Sequence, residues 1–132
     1  EINTLESMVF RNNGSGEFIA EPLPFLSQMA PIMDLAFADV DGDGSNDIIV
    51  AQNFNAAQRE TGRMNAGLGV IVSFKADKTF LEIWPKNSGF VTRADSRRIV
   101  LEDFGNDGNF ELLLGQNNGE LEVFRSRVNK TP

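Results

Sequence analysis

The chain has 132 residues, of which 41% are hydrophobic, and carries a formal charge of −7. That length and apolar content suit one compact unit with its own core, while the acidic balance argues against a phosphate-binding surface and hence against a nucleic-acid partner. Cysteine and histidine are both absent, which removes disulfides, thiol nucleophiles, the commonest general base and nearly every zinc, copper or haem site. Any chemistry would have to come from carboxylates, lysine, serine or a hard metal ion.

In chain order, short apolar runs alternate with Gly, Asn and Asp clusters, the pattern of strands and turns. Strands are expected at residues 8–12, 17–21, 33–39, 47–52, 68–75, 79–84, 97–103, 111–116 and 120–126. No helix is expected beyond one helical turn in residues 56–63, inside a loop. No stretch of 18 apolar residues is present, so no membrane insertion is expected. Residues 1–10 show no signal-peptide pattern, which leaves the compartment open.

The chain contains a repeat. "LAFADVDGDGSNDIIVAQN" (residues 35–53) aligns without a gap with "IVLEDFGNDGNFELLLGQN" (residues 99–117). Asp39 meets Asp103, Asp43 meets Asp107, Gly44 meets Gly108, Asp47 meets Glu111, and the closing "QN" recurs. A weaker echo, "MVFRNN" at residues 8–13 against "EVFRSR" at residues 122–127, sets its phase. The order becomes the end of one four-stranded unit (8–22), a whole unit (32–85) and the start of the next (97–127). Tandem four-stranded antiparallel units are β-propeller blades. The expected fold is therefore all-β, about two blades of a propeller, either part of a larger ring or completed by homo-oligomerisation through exposed blade edges.

The acidic loop "DVDGDGSND" places Asp39, Asp41, Asp43 and Asp47 at positions 1, 3, 5 and 9, with Gly42 and Gly44 between them. A loop curling around one ion presents alternate side chains inward, and Ser45 at position 7 would add its backbone carbonyl. This all-oxygen set suits a hard cation, and calcium accepts its flexible geometry better than magnesium does. The EF-hand does not fit, because position 12 is Val50 instead of a bidentate Glu and no helices flank the loop. The bland alternative is a solvated acidic turn, but without a counter-ion four acids in register repel one another. The second loop keeps Asp103, Asp107 and Glu111, with Asn109 at position 7. It has Gly105 in place of the position-3 acid and Asn106 in place of a glycine, so its ligand count falls by one.

These residues carry a resemblance. "DVDGDGSNDIIV", its partner "DFGNDGNFELLLGQNNGELEVF" and the strand–turn–strand element "VFRNNGSGEF" resemble the FG-GAP and VCBS repeat proteins, which include integrin α-subunit propellers and cartilage acidic proteins. The resemblance spans residues 8–127. It implies propeller blades, with structural calcium bound by Asp39, Asp41, Asp43, the Ser45 carbonyl and Asp47 between a blade's first two strands. It also implies a secreted, periplasmic or cell-surface location and a role in adhesion, recognition or assembly.

Other features are less specific. Residues 53–67 form a loop too long for a blade hairpin, carrying Arg59, Glu60, Arg63 and Asn65. It either binds a protein or carbohydrate ligand or packs as an Ω-like loop on the next blade or another copy. Trp84 and the eleven Phe residues are expected to fill core and blade interfaces, and "TRADSRR" (residues 92–98) to form a solvated inter-blade loop. An enzyme is the competing class: a hydrolase using a metal or paired carboxylates, its remaining site on other blades. Against it, a catalytic ion needs an open position, and Glu60, Asp95 and Glu102 have no evident partner in the sequence.

Overall fold

The computed structural model describes residues 3–75 and 77–125. It contains nine strands in three antiparallel sheets. A hairpin of β1 (Met8–Asn12) and β2 (Phe18–Pro22) comes first. A 3-10 turn (Phe25–Gln28) leads into a four-stranded meander of β3 (Ile32–Ala38), β4 (Asp47–Gln52), β5 (Val70–Phe74) and β6 (Phe80–Ile83). A single helical turn, α1 (Pro85–Ser88), precedes β7 (Ser96–Glu102), β8 (Glu111–Gln116) and β9 (Glu122–Arg125), a meander of three. The architecture is all-β, with no closed barrel among the described residues, as in a partial propeller. Residues 126 and 127, which the ninth expected strand and the third unit were to include, lie outside the described residues.

The central sheet is covered on both faces, and its sequence shows why. β4 reads Ile-Ile-Val-Ala without polar alternation, and every residue of it is buried; a continuous apolar run is what a strand covered on both sides needs. Ile48 and Val50 pack with Leu23, Val70 and Val72 on the side of the β1–β2 hairpin. Ile49 and Ala51 pack with Ile71, Phe90, Ile99, Leu112 and Leu114 on the side of the β7–β9 sheet. Each large aliphatic side chain so buried contributes about 1.5–3 kcal/mol, which makes these two seams the main source of cohesion.

The repeat extends to backbone detail. The β3–β4 ladder shifts register between Ile32 and Asp34, and the β7–β8 ladder shifts between Ser96 and Arg98. The extra residues, Met33 and Arg97, are 64 residues apart, the offset of the acidic loops. Next to the first bulge, Asp34 Oδ2 accepts the Ile99 amide at 2.8 Å, joining the first strands of the two units.

Several expectations need correction. Of the phenylalanines only Phe90 is fully buried; Phe10, Phe18, Phe25, Phe37 and Phe104 are exposed. Phe37 is opposite Ile48, on the face where the hairpin packs, yet it remains 60% exposed. The hairpin packs toward β5 and β6, where Val9 and Phe80 cover the same buried cluster and Arg11 lies over the Phe74 ring, so the β3 side of that face stays bare. Trp84 is 53% exposed: the chain turns into α1 there, and Pro85 takes the buried position. Residues 56–63 do hold the expected single helical turn, in which the Thr61 and Gly62 amides donate to the Gln58 carbonyl. Residues 92–98 are packed in their middle, with Arg93 and Arg98 exposed. Thr92, Asp95 and Ser96 are buried, and Arg97 pairs with Asp95 at 2.6 Å while stacking on Phe54.

Candidate metal centre

The loop joining β3 to β4 is organised by its own carboxylates. Asp39 accepts the Gly42 amide at 2.7 Å on Oδ1 and the Gly44 amide at 3.0 Å on Oδ2. Asp41 Oδ1 accepts the Asp43 amide at 3.2 Å, and Asp43 Oδ1 accepts the Ser45 amide at 2.8 Å. These are successive Asx turns, the local bonding for which short acidic side chains are suited. Gly42 and Gly44 have φ of 79° and 86°, a conformation that costs glycine little and side-chain-bearing residues more.

Using one oxygen of Asp41 and of Asp43 for the loop backbone leaves each a second oxygen. Asp39, Asp41 and Asp43 each offer an oxygen, and these all lie within 4.8 Å of one another. Ligands that share one calcium at about 2.3–2.6 Å are at most about 5 Å apart, so this spacing matches a common ion. Asp47, at the foot of β4, is fully buried; its Oδ2 accepts the Val40 amide at 3.0 Å and its Oδ1 has no hydrogen-bond partner. A buried carboxylate oxygen without a donor is costly, but Asp47 is not among the carboxylates gathered at that spacing.

Lys75 was missed from the sequence. Its ammonium lies 2.7 Å from Asp41 Oδ2 and 3.2 Å from Asp43 Oδ2, reaching in from the end of β5, and the buried Ser73 hydroxyl lies 3.5 Å from the same Asp41 oxygen. The Ser45 amide, with Lys75 second, holds the Asp43 carboxyl below the usual carboxylate range. The bond to Asp41 raises the Lys75 ammonium's pKa above that of a free lysine. The cation is thus held by the acids that would hold a metal. A signal existed in the meander: a strand paired with β4 must run past the acidic loop.

The second loop repeats the scaffold. Asp103 accepts the Asp107 amide at 3.1 Å and the Gly108 amide at 2.8 Å; Asp107 Oδ1 accepts the Asn109 amide at 2.9 Å. Glu111 Oε2 accepts the Phe104 amide at 3.0 Å, as Asp47 does for Val40. Its other oxygen, however, is bonded to the Arg125 Nε at 2.6 Å. Among the described residues, Asp39, Asp41 and Asp43 are the carboxylates gathered at a metal-like spacing; Asp103, Asp107 and Glu111 are not brought together in that way.

Residues 53–67 are anchored at both ends. Phe54 and Met64 exchange backbone hydrogen bonds, and Asn53 bonds Gly67 through both its side-chain oxygen and nitrogen. Between them Arg59, Glu60, Arg63 and Asn65 are exposed. Asp95, for which the sequence suggested no partner, is held by Arg97 and by the Asn117 side chain at 3.3 Å. No helix among the described residues is long and apolar enough to cross a membrane.

Residues 3–50 match the family model of the FG-GAP-like repeat, a stretch that takes in β1, β2, β3, the whole acidic loop and the first part of β4. No curated protein matches the chain.

Proposed function

We propose that the chain, of which residues 3–50 match the FG-GAP-like repeat, is a calcium-stabilised binding segment of a β-propeller-type module, with the ion serving architecture and not turnover. The observation that carries the reading is the convergence of Asp39, Asp41 and Asp43 oxygens within 4.8 Å; Asp47, at the foot of the same loop, keeps a buried oxygen without a partner. Bound there, calcium would offset the crowded carboxylates and lock the β3–β4 connection, with Ser45 adding its carbonyl. Work by binding (adhesion, recognition of a protein or carbohydrate, or assembly with further blades or copies) agrees with a site whose ligands are all protein oxygens and whose acids brace their own loop. A location outside the cytoplasm supplies enough calcium for a site of modest affinity.

The test is thermal unfolding of the whole chain in calcium and in chelator. At calcium a hundredfold above the dissociation constant, binding adds about 2.7 kcal/mol, a shift of several degrees for a domain of this size. Asp41→Asn with Asp43→Asn abolishes the shift. Equal melting in calcium and chelator rejects the reading.

A further inference from the structure

We propose that Arg125 is the resident cation of the second loop, so that the two loops meet their need for positive charge differently: the first with a divalent ion, the second with a guanidinium from its own sheet. The inference rests on the reading of the first loop as a calcium site.

Strand register shows which residues correspond. In the second unit Glu111 pairs with Arg125. In the first, Ile48 pairs with Val72, so one step further along the ladder Asp47 faces Ser73. Ser73 and Arg125 therefore hold the same place, opposite the acid at position 9. In the first unit that place is a small buried hydroxyl; in the second it is a cation. At position 3 the exchange runs the other way, from Asp41 to Gly105.

These two exchanges are in contact. A Cβ built on Gly105 would lie 3.9 Å from Arg125 Nη2 and 3.5 Å from the Asp107 carboxylate. The guanidinium thus lies beside the point where an acid at position 3 would begin. Arg125 contacts Glu111 Oε1 through both Nε and Nη2, each at 2.6 Å, and the charges of Asp107 and Asp103 add to its attraction. A carboxylate is lost and a cation gained at neighbouring positions, which supplies by covalent attachment what the first loop takes from solution. Lys75 differs: it reaches the acids from beyond the end of β5 on a flexible stem, as a compact charge that an arriving ion can displace. Arginine stays charged, and Arg125, on the last described pair of the ladder, is held to Glu111 by two bonds.

Calorimetric titration of the whole chain with calcium chloride tests this. The unaltered chain binds one ion, Asp107→Asn leaves that binding unchanged, and Gly105→Asp with Arg125→Ser, which installs the first loop's pattern in the second, binds two. Two ions in the unaltered chain, with one lost in Asp107→Asn, overturn the proposal, as does a folded double variant that gains none. If the double variant does not fold, Asp107→Asn decides. An unaltered chain that binds nothing removes the reading of the first loop; the double variant then upholds the present proposal by gaining an ion and overturns it by remaining unable to bind.

Discussion

Lys75 places its ammonium 2.7 Å from Asp41 Oδ2, across 34 residues of sequence. A side-chain cation thus lies on an oxygen that a divalent ion would need, and binding requires one to displace the other. Exposed ion pairs contribute about 0.2–1 kcal/mol, so the competition is modest. Lys75→Met is expected to tighten calcium binding by up to about fivefold and to lower slightly the melting temperature in chelator. Calorimetry with calcium measures the first and thermal unfolding the second. Weaker calcium binding in Lys75→Met would mean that the lysine supports the site and does not compete for it.

Asp47 separates structural from ligating roles. Asp47→Ala leaves the half-buried Val40 amide without its acceptor, a loss of about 1–3 kcal/mol whatever the metal content. Asp47→Asn keeps an acceptor for that amide and removes the charge, so its cost should appear mainly as a smaller calcium-induced rise in melting temperature. Unfolding curves for both variants, each with calcium and with chelator, give the comparison. A calcium response in Asp47→Asn equal to that of the unaltered chain would remove Asp47 from the ligand set.

What could be read from the sequence depended on the range of the interactions. The acidic loop was legible because its own bonds are short along the chain, from Asp41 to Asp43, Asp43 to Ser45 and Asp39 to Gly44 up to Val40 to Asp47. The strands followed from apolar runs bounded by turn residues, and the repeat from spaced Asp and Gly matches. Lys75 and Arg125 were not legible as partners of the loops, because only the pairing of third strand with second brings them there. The exposed Phe10, Phe37 and Trp84 were misread for a related reason. An aromatic residue in a strand marks an apolar face, but only the neighbouring layer determines whether that face is covered.

Asn53 is expected to be the most sensitive position of the long connection. Its φ is 85°, its side-chain nitrogen donates to the Gly67 and Ala94 carbonyls at 3.0 Å each, and its oxygen accepts the Gly67 amide at 2.9 Å. It therefore holds residues 53–67 closed and ties them to the segment that leads into β7. With about 1 kcal/mol for each bond and a further cost for a left-handed backbone, Asn53→Ala should lose about 3 kcal/mol or more by urea unfolding. Asn53→Gly relieves only the backbone part and should fall between. Gly67→Ala should be comparably damaging, since its Cβ would lie 2.7 Å from Gln52 Oε1. A loss below about 1 kcal/mol for Asn53→Ala would show that the loop is held by other contacts.

The turn between β5 and β6 carries a dependence on pH. Asp77 Oδ1 accepts the Thr79 hydroxyl at 2.6 Å and the Thr79 amide at 3.0 Å, and these two bonds, the hydroxyl's first, hold its carboxyl below the ordinary aspartate value. A carboxyl depressed in the folded state favours folding above the unfolded value, and that contribution fades as pH falls through the folded one. The hairpin should therefore loosen only under acid conditions, below about pH 4, and be indifferent to pH near neutrality. Thr79→Val removes the larger donor and keeps the amide, so the Asp77 pKa should rise part of the way back toward 3.8. Side-chain carboxyl titration by NMR reads this directly. An Asp77 that titrates alike in Thr79→Val and in the unaltered chain would show that the hydroxyl does not hold the charged form.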